Sequence, residues 1–227
     1  MNITYPMRLT RKHLIIMVAL RLGVFAFAIV FFGVVLSLAA ESNIVTAPLA
    51  WFISFAICAW VFTVTDTFWQ RKGILTLYHK RYRSMYLSYP RTAGYYVARD
   101  VMSVAWPSVL TNLLVLMGGS AVILTVLQAE SEFVVMIVVA AGLTGLLASA
   151  LYLLSLLAGV FWSNDATALL VAFCLSMLSV NSFANSPQGV SLIVLVSVTG
   201  SAVLATVACF ILVLRWLSRQ GLIEIGK

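Results

Sequence analysis

The sequence predicts an all-α integral membrane protein with six transmembrane helices and both termini in the cytoplasm. Of its 227 residues, 63% are apolar and 9% are charged, whereas an ordinary soluble domain has about 25% charged residues. The apolar residues form uncharged runs of the length, about 20 residues, that crosses a bilayer. The positive charges are confined to the segments on one side of these runs, which is typical of membrane proteins.

The chain begins with a basic, partly apolar segment. We predict that residues 6–20 form an amphipathic helix on the inner membrane surface, with Leu14 and Ile15 toward the lipid and Arg8 and Arg11 toward the headgroups. A merely basic tail is the alternative. A cleaved secretory signal is less favoured, because the apolar run that follows is longer than the 7–15 residues of a signal peptide.

Six spans follow from the apolar runs. The fifth and sixth are divided by the polar segment 181–189, which contains Pro187 and Gly189 and is either a turn or a re-entrant outer gate. The predicted spans are residues 22–40, 46–69, 103–128, 133–161, 166–181 and 189–215.

Charge positions predict the orientation. All fourteen Lys and Arg residues lie before the first span, between the second and third, or after the sixth. With both termini inside, every one of them is cytoplasmic, as the positive-inside rule requires. The acidic residues Glu41, Glu130 and Glu132 fall on the outer side. We therefore predict a multi-pass protein of the cell membrane, with a bacterial inner membrane as the expected location.

The spans are predicted to contain almost no ionisable groups. Asp66 is the one acidic residue near a span, and its distance of one turn from Arg71 favours an interfacial cap or ion pair over a proton relay. No phosphate-binding loop and no H-E-x-x-H pair is present, and the three cysteines have no metal-binding spacing. We expect no catalytic residue, metal or cofactor in this chain, so enzymatic function is the least favoured class.

Small and hydroxyl residues mark two of the spans at intervals of four. They predict either ordinary packing inside one bundle or contacts between subunits. Thr111, Asn112 and Ser120 in the third span form a possible polar path for a substrate, although a neighbouring helix could equally satisfy Asn112. The two stripes are Ala141, Gly145 and Ser149 in the fourth span, and Ser197, Ser201, Ala205 and Cys209 in the sixth.

The loop 71–100 is too long for a featureless connection. Between Gly73 and Pro90 it carries apolar residues spaced three and four apart, which predicts an amphipathic helix. Either this helix lies on the inner leaflet or it docks on a cytoplasmic partner; a role in binding nucleic acid is not expected. The apolar stripe consists of Leu75, Tyr78, Tyr82, Met85 and Tyr89.

With these features the chain resembles, over its whole length, the membrane subunits of the type-2 ABC exporter family. Gly73-Ile74-Leu75 and Ser88-Tyr89-Pro90-Arg91 resemble the steps that flank that family's cytoplasmic coupling helix. The resemblance implies a pair of such subunits, identical or paralogous, each docked on a separate ATPase that binds ATP and Mg²⁺. Gly73, Leu75, Tyr78, Tyr82, Met85, Tyr89 and Pro90 would then contact the ATPase.

The sequence therefore predicts a permease that exports a hydrophobic or amphipathic substrate, such as a drug, peptide or lipid, because its spans are so apolar. Two other functions stay open. One is a non-transporting scaffold or immunity protein that recruits a cytoplasmic partner through residues 74–90. The other is a solute-uptake component that also uses an external ATPase.

Overall fold

The computed structural model describes residues 11–40, 48–78, 102, 105–162, 170–175 and 192–224. Apart from the turn at residues 127–130, these residues are helical, and none of them is in a strand. Five helices are long and apolar enough to cross a membrane, which confirms the predicted all-α membrane class. Of the predicted fifth span, 166–181, the structure describes residues 170–175, which are helical; the segment 181–189 lies outside the described residues.

Helix α1, Arg11–Ala40, is one continuous helix of 30 residues. The sequence predicted a surface helix that ended at residue 20 and a separate span from residue 22. Within the described part the two are joined, and the apolar stretch runs from Leu14 to Phe31. No proline separates them, so nothing forces the backbone to break. Arg21, which we had placed at the cytoplasmic edge, therefore lies inside this stretch.

Helix α2, Pro48–Tyr78, begins with proline at its first turn, where the missing N–H costs nothing. It continues about 15 Å beyond the last residue of its apolar stretch, Phe68, at 1.5 Å per residue. Gly73 therefore lies within α2, whereas the prediction placed it before a helix. Of the predicted coupling residues, Gly73, Leu75 and Tyr78 belong to the end of α2; Tyr82, Met85, Tyr89 and Pro90 lie outside the described residues.

Helices α3, Ala105–Val126, and α4, Ser131–Trp162, form the second hairpin. The middle of α3 is a π-helical segment, Leu114–Gly118. Such wider turns are uncommon and often mark functional positions in α-helices. The segment divides α3 into two α-helical halves.

The turn between α3 and α4 is closed by a Schellman motif. Gln128 has a φ of 54°, and its N–H donates to the carbonyl of Thr125 at 3.1 Å while Ala129 donates to Leu124 at 3.1 Å. These bonds satisfy carbonyls that the helix end would leave free. Glu132 follows in the first turn of α4, where a carboxylate stabilises the helix dipole.

Helix α4 is central in the described bundle, since it packs against α2, α3 and the last helix, α5, Leu192–Glu224. The apolar stretches of α2 and α4 are 61% and 56% buried, against 11% for α5. One face of α5 contacts α4, and Thr206 on this face donates to the carbonyl of Ala150 at 3.0 Å. Most of the remaining residues in the apolar stretch of α5, Ile193–Val213, are exposed and apolar, as expected for a helix that faces lipid.

The core between α1, α2, α3 and α4 depends on close helix approach at glycines. A Cβ added to Gly119 would lie 2.6 Å from Cε1 of Phe25, and one added to Gly145 would lie 3.4 Å from the backbone of Asn112. Small residues at such crossings let membrane helices approach closely. The largest fully buried apolar residues of this core are Phe55, Phe62, Leu116, Leu124 and Ile137.

We expect Gly119→Ala to destabilise the bundle by about 1–3 kcal/mol, the usual cost of overpacking. Its neighbour Gly118 provides the matched control, because a Cβ there would meet nothing within 4 Å. Gly118→Ala should be neutral or stabilising by up to about 1 kcal/mol through its helix propensity. The comparison can be made by thermal unfolding in detergent, and equal melting temperatures for the two variants would contradict the predicted contact with Phe25.

Candidate functional site

The most unusual feature of the described residues is a buried cluster of charged and polar side chains on three helices. Arg21 of α1 is 2% exposed and Asp66 of α2 is 4% exposed. Nη2 of Arg21 donates to both carboxylate oxygens of Asp66, at 2.7 and 2.5 Å. The hydroxyl of Ser108, in the first turn of α3, donates to Oδ2 of Asp66 at 2.5 Å. We call these three residues the polar clamp.

The helical hairpin positions the two charges of the clamp. Arg21 lies about as far before the end of α1 as Asp66 lies after the start of α2, so antiparallel packing brings them to the same level. Nearer the turn, the hydroxyl of Ser54 donates to the carbonyl of Ala28 at 3.2 Å and joins the same two helices. The clamp therefore joins the N-terminal half of α1 to the C-terminal half of α2, and Ser108 attaches α3.

Burial of two charges has a high energetic cost unless they are paired and hydrogen-bonded. The clamp supplies this compensation for Asp66, whose carboxylate accepts from Arg21 and Ser108. The guanidinium of Arg21 also lies 5.5 Å from the ring centre of Phe62, within the range of a cation–π contact. Removal of either partner alone would leave an uncompensated charge in an apolar bundle and would destabilise the contact between the helices.

Arg21 is less completely satisfied than Asp66. Its Nε and Nη1 atoms are buried and have no hydrogen-bond partner among the residues that the structure describes. A cavity of about 10 Å³ adjoins the ion pair and is lined by Met17, Leu20, Arg21, Thr65 and Asp66. This volume admits about one water-sized group. The clamp thus combines unpaired donors with a small adjacent space.

A second set of polar contacts joins α2 to α4, next to the clamp. The hydroxyls of Thr67 and Ser155 lie 2.9 Å apart, and Thr63 donates to the carbonyl of Ala148 at 3.2 Å. Both threonines also donate to their own helix, four residues back. Because each hydroxyl keeps a partner within its helix, these contacts add specificity without exposing a polar group to lipid.

The predicted path residues lie in α3 with different surroundings. Thr111 donates to carbonyls of its own helix, whereas the amide nitrogen of Asn112 donates to Ser149 of α4 at 3.0 Å. The neighbouring helix therefore satisfies part of Asn112, which is the alternative that the sequence had left open. Oδ1 of Asn112 and the hydroxyl of Ser120 are buried and have no partner in the described part of the chain. They lie on either side of the π-helical segment.

The two small-residue stripes have different environments. In α4, Ala141, Gly145 and Ser149 are buried inside the chain, as the prediction of ordinary packing required. In α5, Ser197 and Ser201 are exposed, and each donates to its own helix. The stripe of α4 therefore belongs to the core, and the stripe of α5 lies on the outer surface of the described bundle.

The structure corrects the expectation that the spans lack ionisable groups. Asp66 pairs with Arg21, and both members lie within apolar helical stretches. Arg21 and Ser108 were not predicted as a site: an arginine beside a basic segment looks like a flanking charge, and the role of Ser108 depends on the approach of α3 to Asp66. The equal distance of Arg21 and Asp66 from the hairpin turn was a usable signal, because opposite charges at one depth of a hairpin favour pairing.

Three helices meet at the clamp, but no metal-binding arrangement is present there or elsewhere in the described ranges, where no three His, Cys, Asp or Glu side chains come together. What the clamp offers chemically is a fixed carboxylate, a cation with spare N–H donors and a hydroxyl.

No protein-family model, curated protein or solved structure matches this chain.

We expect Arg21→Met and Asp66→Leu, made singly, each to destabilise the protein by about 3–5 kcal/mol, because each leaves one buried charge without its partner. The double variant should recover most of this loss, since two apolar side chains fill the space without charge. Unfolding by titration with SDS, followed by circular dichroism, measures the difference. Ser197→Ala on the exposed face of α5 is the control; a double variant as unstable as the sum of the single variants would contradict the pairing.

Proposed function

We propose that the chain is the membrane-spanning permease subunit of an ATP-driven exporter, and that it moves a hydrophobic or amphipathic substrate outward. The observation that carries the proposal is the continuity of α2. This helix connects the buried clamp at Asp66 with the basic, tyrosine-rich segment that begins at Arg71. A rigid helix between a cytoplasmic docking segment and the bundle can transmit a movement made by a partner.

The charge distribution supports the orientation that this proposal needs. Arg71 and Lys72 lie in α2 beyond its apolar stretch, and Arg215 lies beyond that of α5. With the thirteen Lys and Arg residues other than Arg21 on the cytoplasmic side, both termini and the loop 71–100 are cytoplasmic. Six spans, with residues 166–181 as the fifth, give this topology.

The packing of α2 supports its role as a lever. The helix continues about 18 Å from Asp66 to Tyr78, at 1.5 Å per residue. At Asp66 it is tied to α1 and α3, and just beyond that level Thr67 contacts α4. A force on the free end of α2 would therefore reach three helices at one level. In this proposal two permease subunits, identical or paralogous, each dock on an ATPase through residues 74–90.

If this docking is right, Tyr82→Asp and Met85→Asp should reduce co-purification of the ATPase at least fivefold, because a charge is placed in an apolar helix-in-groove contact. Thr76→Asp is the matched control, because Thr76 falls on the face of the predicted helix opposite the apolar stripe. The readouts are the amount of ATPase retained by the purified permease and the efflux of a hydrophobic fluorescent dye from vesicles. Unchanged retention and efflux in the two variants would refute the proposal, and retention of a partner without ATP-dependent efflux would indicate a scaffold.

The lever can be tested at Gly73, which lies inside α2. Gly73→Pro removes a backbone hydrogen bond and kinks the helix at a cost of about 3 kcal/mol, so we expect ATPase retention without dye efflux. Gly73→Ala is the control and should retain both, because alanine favours the helix by about 1 kcal/mol over glycine. Normal efflux by the proline variant would show that continuity of α2 is not required.

A further inference from the structure

The guanidinium of Arg21 has more donors than its surroundings use. One nitrogen, Nη2, makes both bonds to Asp66, and Nε and Nη1 have no partner among the described residues, although Arg21 is 2% exposed. Buried N–H groups without acceptors are costly, by about 1–3 kcal/mol each and more for charged groups. A ligand that brings acceptor oxygens to this side of Arg21 would remove that cost.

The cavity beside the ion pair limits what can enter. Its volume of about 10 Å³ admits one oxygen-sized group and no more. Met17, Thr65 and Leu20 line it beside the ion pair, and Leu20 is 37% exposed. The cavity therefore adjoins the outer surface of α1 and α2, and a larger ligand could insert a single oxygen while the remainder stayed outside.

The cavity lies at the edge of the apolar stretches of α1 and α2, just inside the hydrocarbon and next to the lipid headgroups. Arg71 and Lys72 follow Asp66 by five and six residues in the same helix, which is about 7–9 Å along its axis. Lysines and arginines at the ends of spans mark the headgroup region, and this region is about 5–7 Å thick on each side of the hydrocarbon. The exposed apolar residues of α1 beside the cavity, Ile16 and Leu20, would contact acyl chains.

We propose that Arg21 binds a phosphate oxygen of a membrane lipid, which inserts between α1 and α2 into the cavity beside the polar clamp. A phosphodiester offers acceptors and no donors, which complements a side chain that offers donors and no acceptors. Hydrogen bonds between arginine and phosphate are among the strongest in proteins. The excess of positive charge at this end of the spans also attracts anionic lipids. The proposed site does not depend on an ATPase or on export.

The test compares lipid binding by the full-length chain and its variants. After delipidation in detergent, dioleoylphosphatidylglycerol is titrated in, and bound lipid is counted by native mass spectrometry. Arg21→Lys keeps a cation beside Asp66 and removes Nε and Nη1, so we expect the dissociation constant to rise about tenfold, equivalent to about 1.4 kcal/mol. Arg215→Lys, at an exposed position in α5, is the matched control and should bind as the native chain does.

A second variant leaves the ion pair intact. Leu20→Trp places a larger side chain at the cavity without altering Arg21, and it should weaken binding of phosphatidylglycerol to a similar extent. Circular dichroism before titration shows whether each variant is folded. Native affinity in folded Leu20→Trp would place the lipid elsewhere and overturn the proposal, as would native affinity in Arg21→Lys.

Two further titrations separate the possible ligands. Monogalactosyldiacylglycerol, which has the same kind of acyl chains and no phosphate, should not compete; competition would mean that the chains, not the phosphate, are recognised. Inorganic phosphate at millimolar concentration should leave lipid binding unchanged, because it lacks the acyl chains that hold the headgroup beside α1. Displacement of the lipid by inorganic phosphate would overturn the lipid as the source and identify a site for free phosphate.

Discussion

The arrangement of the first three helices depends on one constraint, the need to compensate two charges that are buried in an apolar bundle. Arg21 and Asp66 can remain charged in this environment only while they face one another. Their pairing fixes the register of α1 against α2, and the bond from Ser108 adds the start of α3. Apolar packing alone would discriminate poorly between registers, because membrane helices present similar aliphatic surfaces to one another and to lipid.

Close packing extends this register through the rest of the core. Gly119 admits the ring of Phe25, and Gly145 admits the backbone of Asn112, so α3 lies directly against both α1 and α4. The bond from Asn112 to Ser149 then connects the two helices at the level of this approach. The hydrogen bond and the close approach at Gly145 therefore occur at the same level of α3 and α4. A shift of either helix along its axis would break both.

Sequence patterns predicted the class of fold well, because long apolar runs have few alternatives in a bilayer. The patterns failed where the structure depends on contact between one helix and another. Residues 6–20 looked like a surface helix because Arg8, Arg11 and Lys12 are polar, yet the described part of this segment continues into α1. Arg21 looked like a flanking charge because its neutralising partner, Asp66, is 45 residues away. The polar atoms of Asn112 and Ser120 were identified from sequence, but their partners depend on how closely the helices approach.

The two charges of the clamp are compensated unequally: the carboxylate of Asp66 accepts from two side chains, whereas Arg21 keeps two N–H groups without a partner among the described residues. The reason is that the cation is an arginine. A lysine at position 21 could neutralise Asp66 with a single ammonium group and would leave fewer donors unpaired. Arginine presents a broad planar group, of which Asp66 engages one nitrogen only: Nη2 binds the carboxylate, while Nε and Nη1 have no partner among the described residues. A small cavity adjoins the ion pair. Retaining these donors in an apolar bundle opposes stability, and the threonine and serine contacts between α2 and α4 offset part of that cost. A bundle selected for stability alone would gain by replacing the pair with apolar residues, so the unpaired side of Arg21 points to a ligand and not to packing.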